Sequence, residues 1–409
     1  MEGFFDTKEI QSDHFKKGKH LSCVSCGLYK HVLSPKIKPY GDFKKKVMVI
    51  EEAPGKNEDR RGKPWQGKMG NKLKRKLRHL GFDLFKDAVS LNSCQCRPPK
   101  NATPDTHQID CCRTKVQQAI HEYKPKVIIL LGNCAIESVI GKYWLKDLGG
   151  ITKWRGWTIP DQNYKAWIVP TYHPSFIDRQ KEPEIVNLLW KQDLQKAIDC
   201  IEKPMPVMPV FEDRIVYCYS DREHIKAMQE VAKSKYFAFD YETTGLRPYR
   251  KGHKIVCTSA AIKDKSFVWE NTPERNKTFS RILRDMRIKK SSHNVFFEDM
   301  WSSHFISKVN GWDWCSQNTA HILDNRHGIT GLKFQTYIHF GIADYDGDVS
   351  YYLKSVDQKK HGANSFNRIE HFIQKFGIKK LLTYCGLDSL FGYKLTMIQK
   401  EMIENDSNN

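Results

Sequence analysis

The feature that most constrains this chain is a run of prolines near its middle. Pro204, Pro206 and Pro209 stand within Lys203–Asp213, KPMPVMPVFED. Each proline fixes φ and removes a backbone donor, so the segment can neither continue a helix nor sit inside a sheet and reads as an extended connector. The hydrophobic pattern restarts on both sides of it. Before it, Lys46–Ile50 (KVMVI) and Lys126–Leu131 (KVIILL) read as short buried strands. Between them, Gly70–Leu80 and Thr114–Tyr123 have helical length and charged faces. Strands alternating with helices predict a doubly wound α/β domain. After the prolines, Tyr236–Asp240 (YFAFD) and Lys254–Ile262 (KIVCTSAAI) read as neighbouring strands, with helices at Phe279–Met286 and near Arg368–Phe376. At 409 residues, each half can bury its own core. The expected organisation is an α/β domain over residues 1–202, a linker over 203–213 and a second α/β domain over 214–409.

Charge and cysteine content narrow the partner. Lys plus Arg number 67 against 47 Asp plus Glu, a net charge of +20. That excess predicts a polyanionic partner, because each neutralised phosphate releases condensed counterions. An apolar fraction of 40% excludes a disordered basic tail. The most apolar uncharged run, Val127–Ile136, is about half a membrane span, so no membrane association is expected. The first twenty residues carry no apolar core of signal-peptide type. Twelve cysteines without a secretion signal point to a reducing, cytoplasmic compartment and to metal or cluster ligation. The tail Glu401–Asn409 is polar and is expected to fray.

Cys23-Val-Ser-Cys26 can share one site, and Cys96 and Cys112 follow, 16 positions apart. Four thiolates suit a [4Fe–4S] cluster or a structural zinc. Cys94 and Cys111 are close neighbours of the second pair, so spacing alone leaves the ligand choice open. Glu51-Glu52-Ala53-Pro54-Gly55 follows the first strand directly, placing its end at a ligand-binding edge. Farther on stand Gly62-Lys63-Pro64-Trp65, Asn92, Cys96-Arg97-Pro98-Pro99 and Tyr172-His173-Pro174-Ser175. In this order, over about residues 15–200, these segments resemble the iron–sulfur (family four) uracil-DNA glycosylases.

The resemblance implies that Cys23, Cys26, Cys96 and Cys112 hold a [4Fe–4S] cluster, with Cys112 preferred over Cys111 and Cys94 outside the set. It implies that Trp65 stacks on a flipped uracil, Asn92 reads the base edge and His173 stabilises charge on the departing base. Glu52, ahead of Glu58, would orient the attacking water. A flipped base needs a stacking wall and a hydrogen-bond reader, and an anionic leaving base needs a preorganised donor. Two positions depart from the family: Glu51 replaces the usual Gly, and Trp65 replaces the usual Phe. Either departure is compatible with a domain that binds DNA without excising a base.

In the second half, Asp240-Tyr241-Glu242 ends a hydrophobic strand, so both acids project from one face. Like charges that close repel unless a cation lies between them. His293-Asn294-Val295-Phe296-Phe297-Glu298-Asp299 follows, then Tyr384-Cys385-Gly386-Leu387-Asp388, in which Tyr384 and Asp388 share a face if the segment is helical. Together these motifs resemble the DEDD-type 3′→5′ proofreading exonuclease domain of family A DNA polymerases, in its Tyr-containing subclass, over about residues 214–400. The resemblance implies an RNase H-like α/β fold. It implies that Asp240, Glu242, Glu298 and Asp388 bind two Mg²⁺ or Mn²⁺ ions, with Asp299 as the alternative to Glu298. Tyr384 would orient the water and Asn294 would hold the 3′-terminal nucleotide.

Lys72–Arg78 (KLKRKLR) is expected to track a phosphate backbone beside the base pocket. No polymerase region follows Asp388, so the resemblance implies work alongside a separate DNA polymerase on single-stranded 3′ ends. The architecture is similar to that of phage replication proteins, which would place this one in the host cytoplasm. The alternative expectation is an exonuclease whose first half is a silent DNA-binding or polymerase-docking module.

Overall fold

Five short strands, each buried along its whole length, form the first sheet: β1 Val47–Glu51, β2 Ala88–Asn92, β3 Val127–Leu131, β4 Ile159–Asp161 and β5 Ala166–Thr171. Their order is β2-β1-β3-β5-β4, parallel except for β4 at one edge. Helices cover a parallel sheet on both faces, which is why these strands read as unbroken apolar runs. The computed structural model describes residues 21–144, 146–180, 183–343 and 345–407. The first twenty residues, where no signal-type core was read, lie outside the described residues.

The helix expected over Gly70–Leu80 spans Lys68–His79. The one expected over Thr114–Tyr123 begins earlier, at Thr106, because Asp105 and Gln108 close a capping box there. Strand order reverses at β1, with β2 on one side and β3 on the other. Ligands of open α/β sheets bind outside the carboxyl ends of strands at such a switch point.

The second sheet contains β6 Ile215–Tyr217, β7 Tyr236–Thr243, β8 Ile255–Ile262, β9 Lys265–Glu270, β10 Lys289–Ser292 and β11 Trp312–Cys315, in the order β11-β10-β7-β8-β9-β6. The strands β7, β8 and β9 form an antiparallel meander, and β10 and β11 lie parallel to β7 on its other side. This meander with two parallel strands beside its first member is the RNase H-like arrangement. Phe237, Phe239, Trp269, Phe279 and Trp301 fill its core.

The helix Ile378–Ser407 packs across β7, β8 and β9. It carries the chain through Ser407, so the polar tail from Glu401 is helical up to that residue. Gly386 permits its close approach: a Cβ there would lie 2.7 Å from Val268 Cγ1 and 2.9 Å from Ile215 Cδ1.

The chain divides into two compact units between Val207 and Met208, inside the proline segment. A short return of the chain from Tyr337 belongs to the first unit, where the Tyr337 hydroxyl donates to Asp161 Oδ2 at 2.8 Å. The sequence reading contains no sign of that return. Both units are α/β, and among the described residues no helix is long and apolar enough to cross a membrane.

Candidate active sites

Cys23 and Cys26 lie on a single helical turn that Ser22 caps. Together with Cys96, Cys111 and Cys112 they line a cavity of about 20 Å³. Cys94 lies behind it, fully buried, with its thiol directed to the Cys96 carbonyl. A hydrogen bond from Cys94 draws the Cys112 thiol down to about 7, against the upward push of burial. Burial raises Cys26 and Cys96. Cys111 meets Ser25 Oγ at 3.5 Å and His107 Nε2 at 3.7 Å. Among the described residues, the only three His, Cys, Asp or Glu ligand atoms gathered within 4.8 Å of one another belong to Asp240, Glu242 and Cys385. No three of the cavity sulfurs therefore lie all within 4.8 Å of one another.

The base-pocket residues gather at the carboxyl ends of the first sheet. Asn92 ends β2, Glu51 ends β1, and Thr171 of β5 leads into His173. Asn92 is 0% exposed, and both atoms of its amide are buried without a partner. Such a group costs about 1–3 kcal/mol unless something completes it.

The Ser175 backbone N–H donates to His173 Nδ1, and the Ser175 hydroxyl lies 2.7 Å from the same atom. Nδ1 is therefore the acceptor, and the ring proton sits on Nε2. Burial, with Arg179 nearby, pulls His173 down to about 4, so the ring is neutral at pH 7. Gly132 holds φ +86° against this loop, where an added Cβ would approach His173 Cβ to 3.2 Å.

Burial raises Glu52, while Arg179 and Thr103 favour its charge. Glu58, the second candidate for orienting water, instead accepts the Gln66 and Gly67 backbone N–H groups at 2.7 and 2.8 Å. Its carboxylate fixes the turn that carries Trp65.

Trp65 is 2% exposed and adopts φ +58°, a conformation that costs a non-glycine residue about 1–2 kcal/mol. Its indole donates to Ser90 Oγ at 2.6 Å, and the Lys74 ammonium holds its carbonyl. The Trp65 and His173 rings are nearly parallel, with centroids 5.9 Å apart. A base sandwiched between two rings needs about 7 Å. Trp65 therefore forms a wall of the pocket, but no slot for a base opens between it and His173.

The basic run Lys72–Arg78 divides between two tasks. Lys74 and Lys76 turn toward Trp65 and Trp190. Lys68, Lys72 and Arg75 line an open groove with Gln66 and Gly67, and Lys68 and Lys72 pair there with Asp178.

In the second sheet, Asp240 and Glu242 face the same way from β7, opposite Ser259 and Cys257 of β8. Glu298 enters from the first turn of the helix Val295–Phe305, and Asp388 from the long helix one turn after Tyr384. Burial raises Asp240 and Glu242 far above the carboxylate range; the charges of Asp388 and Glu298 push Asp240 the same way, and those of Asp240 and Asp388 push Glu242. Burial likewise takes Glu298 to about 8, and its Oε2 is buried without a partner. Asp299 points elsewhere, accepting the Trp312 indole at 2.9 Å. Asn294 is exposed at the N-terminus of the Val295–Phe305 helix, with no capping bond.

Two further residues, not singled out in the sequence, complete this cluster. Lys333 pairs with Asp388 and lies over the rings of Tyr345 and Tyr384, 3.8 and 4.4 Å from their centroids. The Tyr345 hydroxyl donates to Asp388 Oδ1 at 2.6 Å. One ammonium against four carboxyl groups leaves the cluster short of positive charge.

A buried amide and a neutral imidazole at the switch point of a parallel sheet, beside a cysteine-lined cavity, define a doubly wound α/β domain with a candidate ligand site at its carboxyl edge. The uracil DNA glycosylase superfamily profile matches residues 38–195. The type-4 uracil-DNA glycosylase of Thermotoga maritima is 30% identical over 195 residues, covering 48% of this chain and 95% of that protein. The Saccharolobus solfataricus enzyme of the same description is 29% identical over 221 residues, covering 53% and 95%. The chain belongs to the type-4 uracil-DNA glycosylase family. A DNA polymerase of Bacillus phage SP01 is 25% identical over 221 residues, covering 52% of this chain but 22% of the polymerase. A solved structure of Brucella melitensis NrnC aligns at 16% identity with a TM-score of 0.33, covering 47% of this chain and 82% of that one.

Proposed function

We propose that the protein is a two-site DNA enzyme, with a uracil-DNA glycosylase in its first unit and a metal-dependent 3′→5′ exodeoxyribonuclease in its second. The unpartnered amide of Asn92 carries the first half of this reading: a buried reader with nothing to read is explained by a base that enters the pocket. Trp65 supplies a wall, and the His173 Nε2–H donates to the carbonyl that gains charge as the base departs. Glu52 orients the water. Cys23, Cys26, Cys96 and Cys112 would hold a [4Fe–4S] cluster, which when bound ties the first cysteine turn to the sheet.

Four clustered acids, three of them buried and Asp240 half-buried, around a single lysine support the second half. Asp240, Glu242, Glu298 and Asp388 fit two Mg²⁺ or Mn²⁺ ions, because hard carboxylate oxygens suit hard cations. When bound, the ions supply activation of water and stabilisation of the leaving 3′-oxyanion. Tyr384 orients that water, and Asn294, exposed at a helix start, holds the terminal nucleotide. DNA is the substrate at both sites. The phage polymerase relative supports action beside a separate DNA polymerase in a phage-infected cytoplasm.

The 5.9 Å between Trp65 and His173 favours one alternative, a closed first pocket that serves only for DNA binding or polymerase docking. Incubating the whole protein with a uracil-containing oligonucleotide in EDTA, which silences the exonuclease, separates the two readings. Alkali-labile abasic sites are expected; intact strands with retained binding would establish the alternative. For the cluster, a brown preparation with broad visible absorbance is expected. Cys112→Ser should bleach it and Cys111→Ser should not, and the reverse result would exchange the two ligands.

A further inference from the structure

Glu51 ends β1 with Asn92 as its partner across the parallel ladder. Paired residues on parallel strands present their side chains to one face, about 4.8 Å apart. Two residues earlier on that face, the Val49–Ser90 pair receives the Trp65 indole. Glu51, Asn92 and Trp65 therefore belong to one pocket.

Glu51 is 5% exposed, and its Oε1 is buried with no partner, like both amide atoms of Asn92. A carboxyl group is costly to bury in this state, and such groups persist where a ligand completes them. Burial, and then the charges of Glu58 and Glu52, hold Glu51 well above the ordinary carboxylate range, so it carries a proton at neutral pH. An acid hydroxyl beside an amide offers donor, acceptor and donor in a row. That pattern complements an imide edge, carbonyl–N–H–carbonyl. Cytosine offers an amino donor in place of one carbonyl.

We propose that Glu51 is a second reader of the base edge, donating from its carboxyl group to a pyrimidine carbonyl beside the positions read by Asn92, and so selecting an imide-edged base such as uracil over cytosine. The inference rests on the base-pocket reading of the first unit. Selection requires that this carbonyl be the one whose place cytosine fills with its amino group; the other carbonyl, common to both bases, is left to His173.

The test is the ratio of affinities of the whole protein, in EDTA, for oligonucleotides differing only by one uracil or one cytosine on a 2′-fluoro sugar, which resists release of the base. Glu51→Ala is expected to lower the wild-type preference for uracil about tenfold, the worth of one hydrogen bond in a dry site. Glu51→Gln keeps a neutral donor and is expected to retain the preference. Melting of Glu51→Ala at or above the wild-type temperature shows that the loss is not unfolding, since the change removes an unpartnered buried acid. A Glu51→Ala ratio equal to that of wild type overturns the role of Glu51 and leaves the pocket standing. A wild type without preference, unaltered by Asn92→Ala, overturns the base pocket itself.

Discussion

The carboxyl end of the first sheet and the acid cluster of the second both hold buried polar groups that the protein leaves uncompleted. The first leaves neutral groups: the Asn92 amide, the protonated Glu51 and an imidazole kept uncharged by burial. The second leaves acids: four carboxyl groups beside one lysine, with Asp240, Glu242 and Glu298 pushed toward the protonated form by burial and neighbouring charge until cations take the place of the protons. A planar molecule rich in hydrogen-bonding groups satisfies the first set without moving any charge, whereas only cations satisfy the second. Both units are α/β, so the fold does not decide which ligand is called for. The sign and number of the unanswered groups do.

Breaking the charged set should have the largest effect. Asp240→Ala or Asp388→Ala is expected to slow release of 3′-labelled nucleotide in Mn²⁺ by about 10³-fold, the several kcal/mol of charge stabilisation that metal ions supply. In EDTA, Asp240→Ala should melt above wild type, because repulsion among the buried acids is relieved. In the neutral set, His173→Ala is expected to slow uracil release by about 10²- to 10³-fold in single-turnover assays with EDTA, the cost of one preorganised donor. Lys333→Met sharpens the comparison from the other side. It strands Asp388 without its partner and should destabilise the metal-free protein by about 3 kcal/mol, read by denaturant melting and reversed by Mn²⁺.

The smallest effect expected is in pH. The rate of uracil release should fall on the acid side as Glu52, raised by burial, takes up a proton and ceases to orient water, while His173 stays neutral down to about pH 4. A single-turnover pH profile that is flat through the acid range, or in which Glu52→Gln leaves the acid fall unchanged, would contradict this assignment.

Much of this arrangement was legible in the sequence because it follows short periods. The β1 and β3 strands announced themselves as apolar runs, and the Asp240–Glu242 pair as acids two apart on a strand. The i,i+4 relation of Tyr384 and Asp388 was visible as well. Lys333 and Tyr345 were not, since neither has a spacing that marks it, and they reach Asp388 only through the tertiary fold. The return of the chain at Tyr337 to the first unit was equally hidden, resting on long-range contacts such as the bond to Asp161 and that from the Gln162 N–H to the Gly341 carbonyl. Glu58 shows the opposite failure. An acid beside a Pro-Gly turn invites a catalytic reading, yet its oxygen is occupied by two backbone donors.

Gly386 gives the acid cluster a tolerance measured in tenths of an ångström. With side-chain carbons already 2.7 and 2.9 Å from where its Cβ would be, one methyl group would act as a wedge under the long helix. Asp388 rides on that helix two residues later while Asp240 and Glu242 stay anchored in the strand. The proposed nuclease chemistry could thus be lost through thickness alone, with every acid, tyrosine and lysine of the site intact.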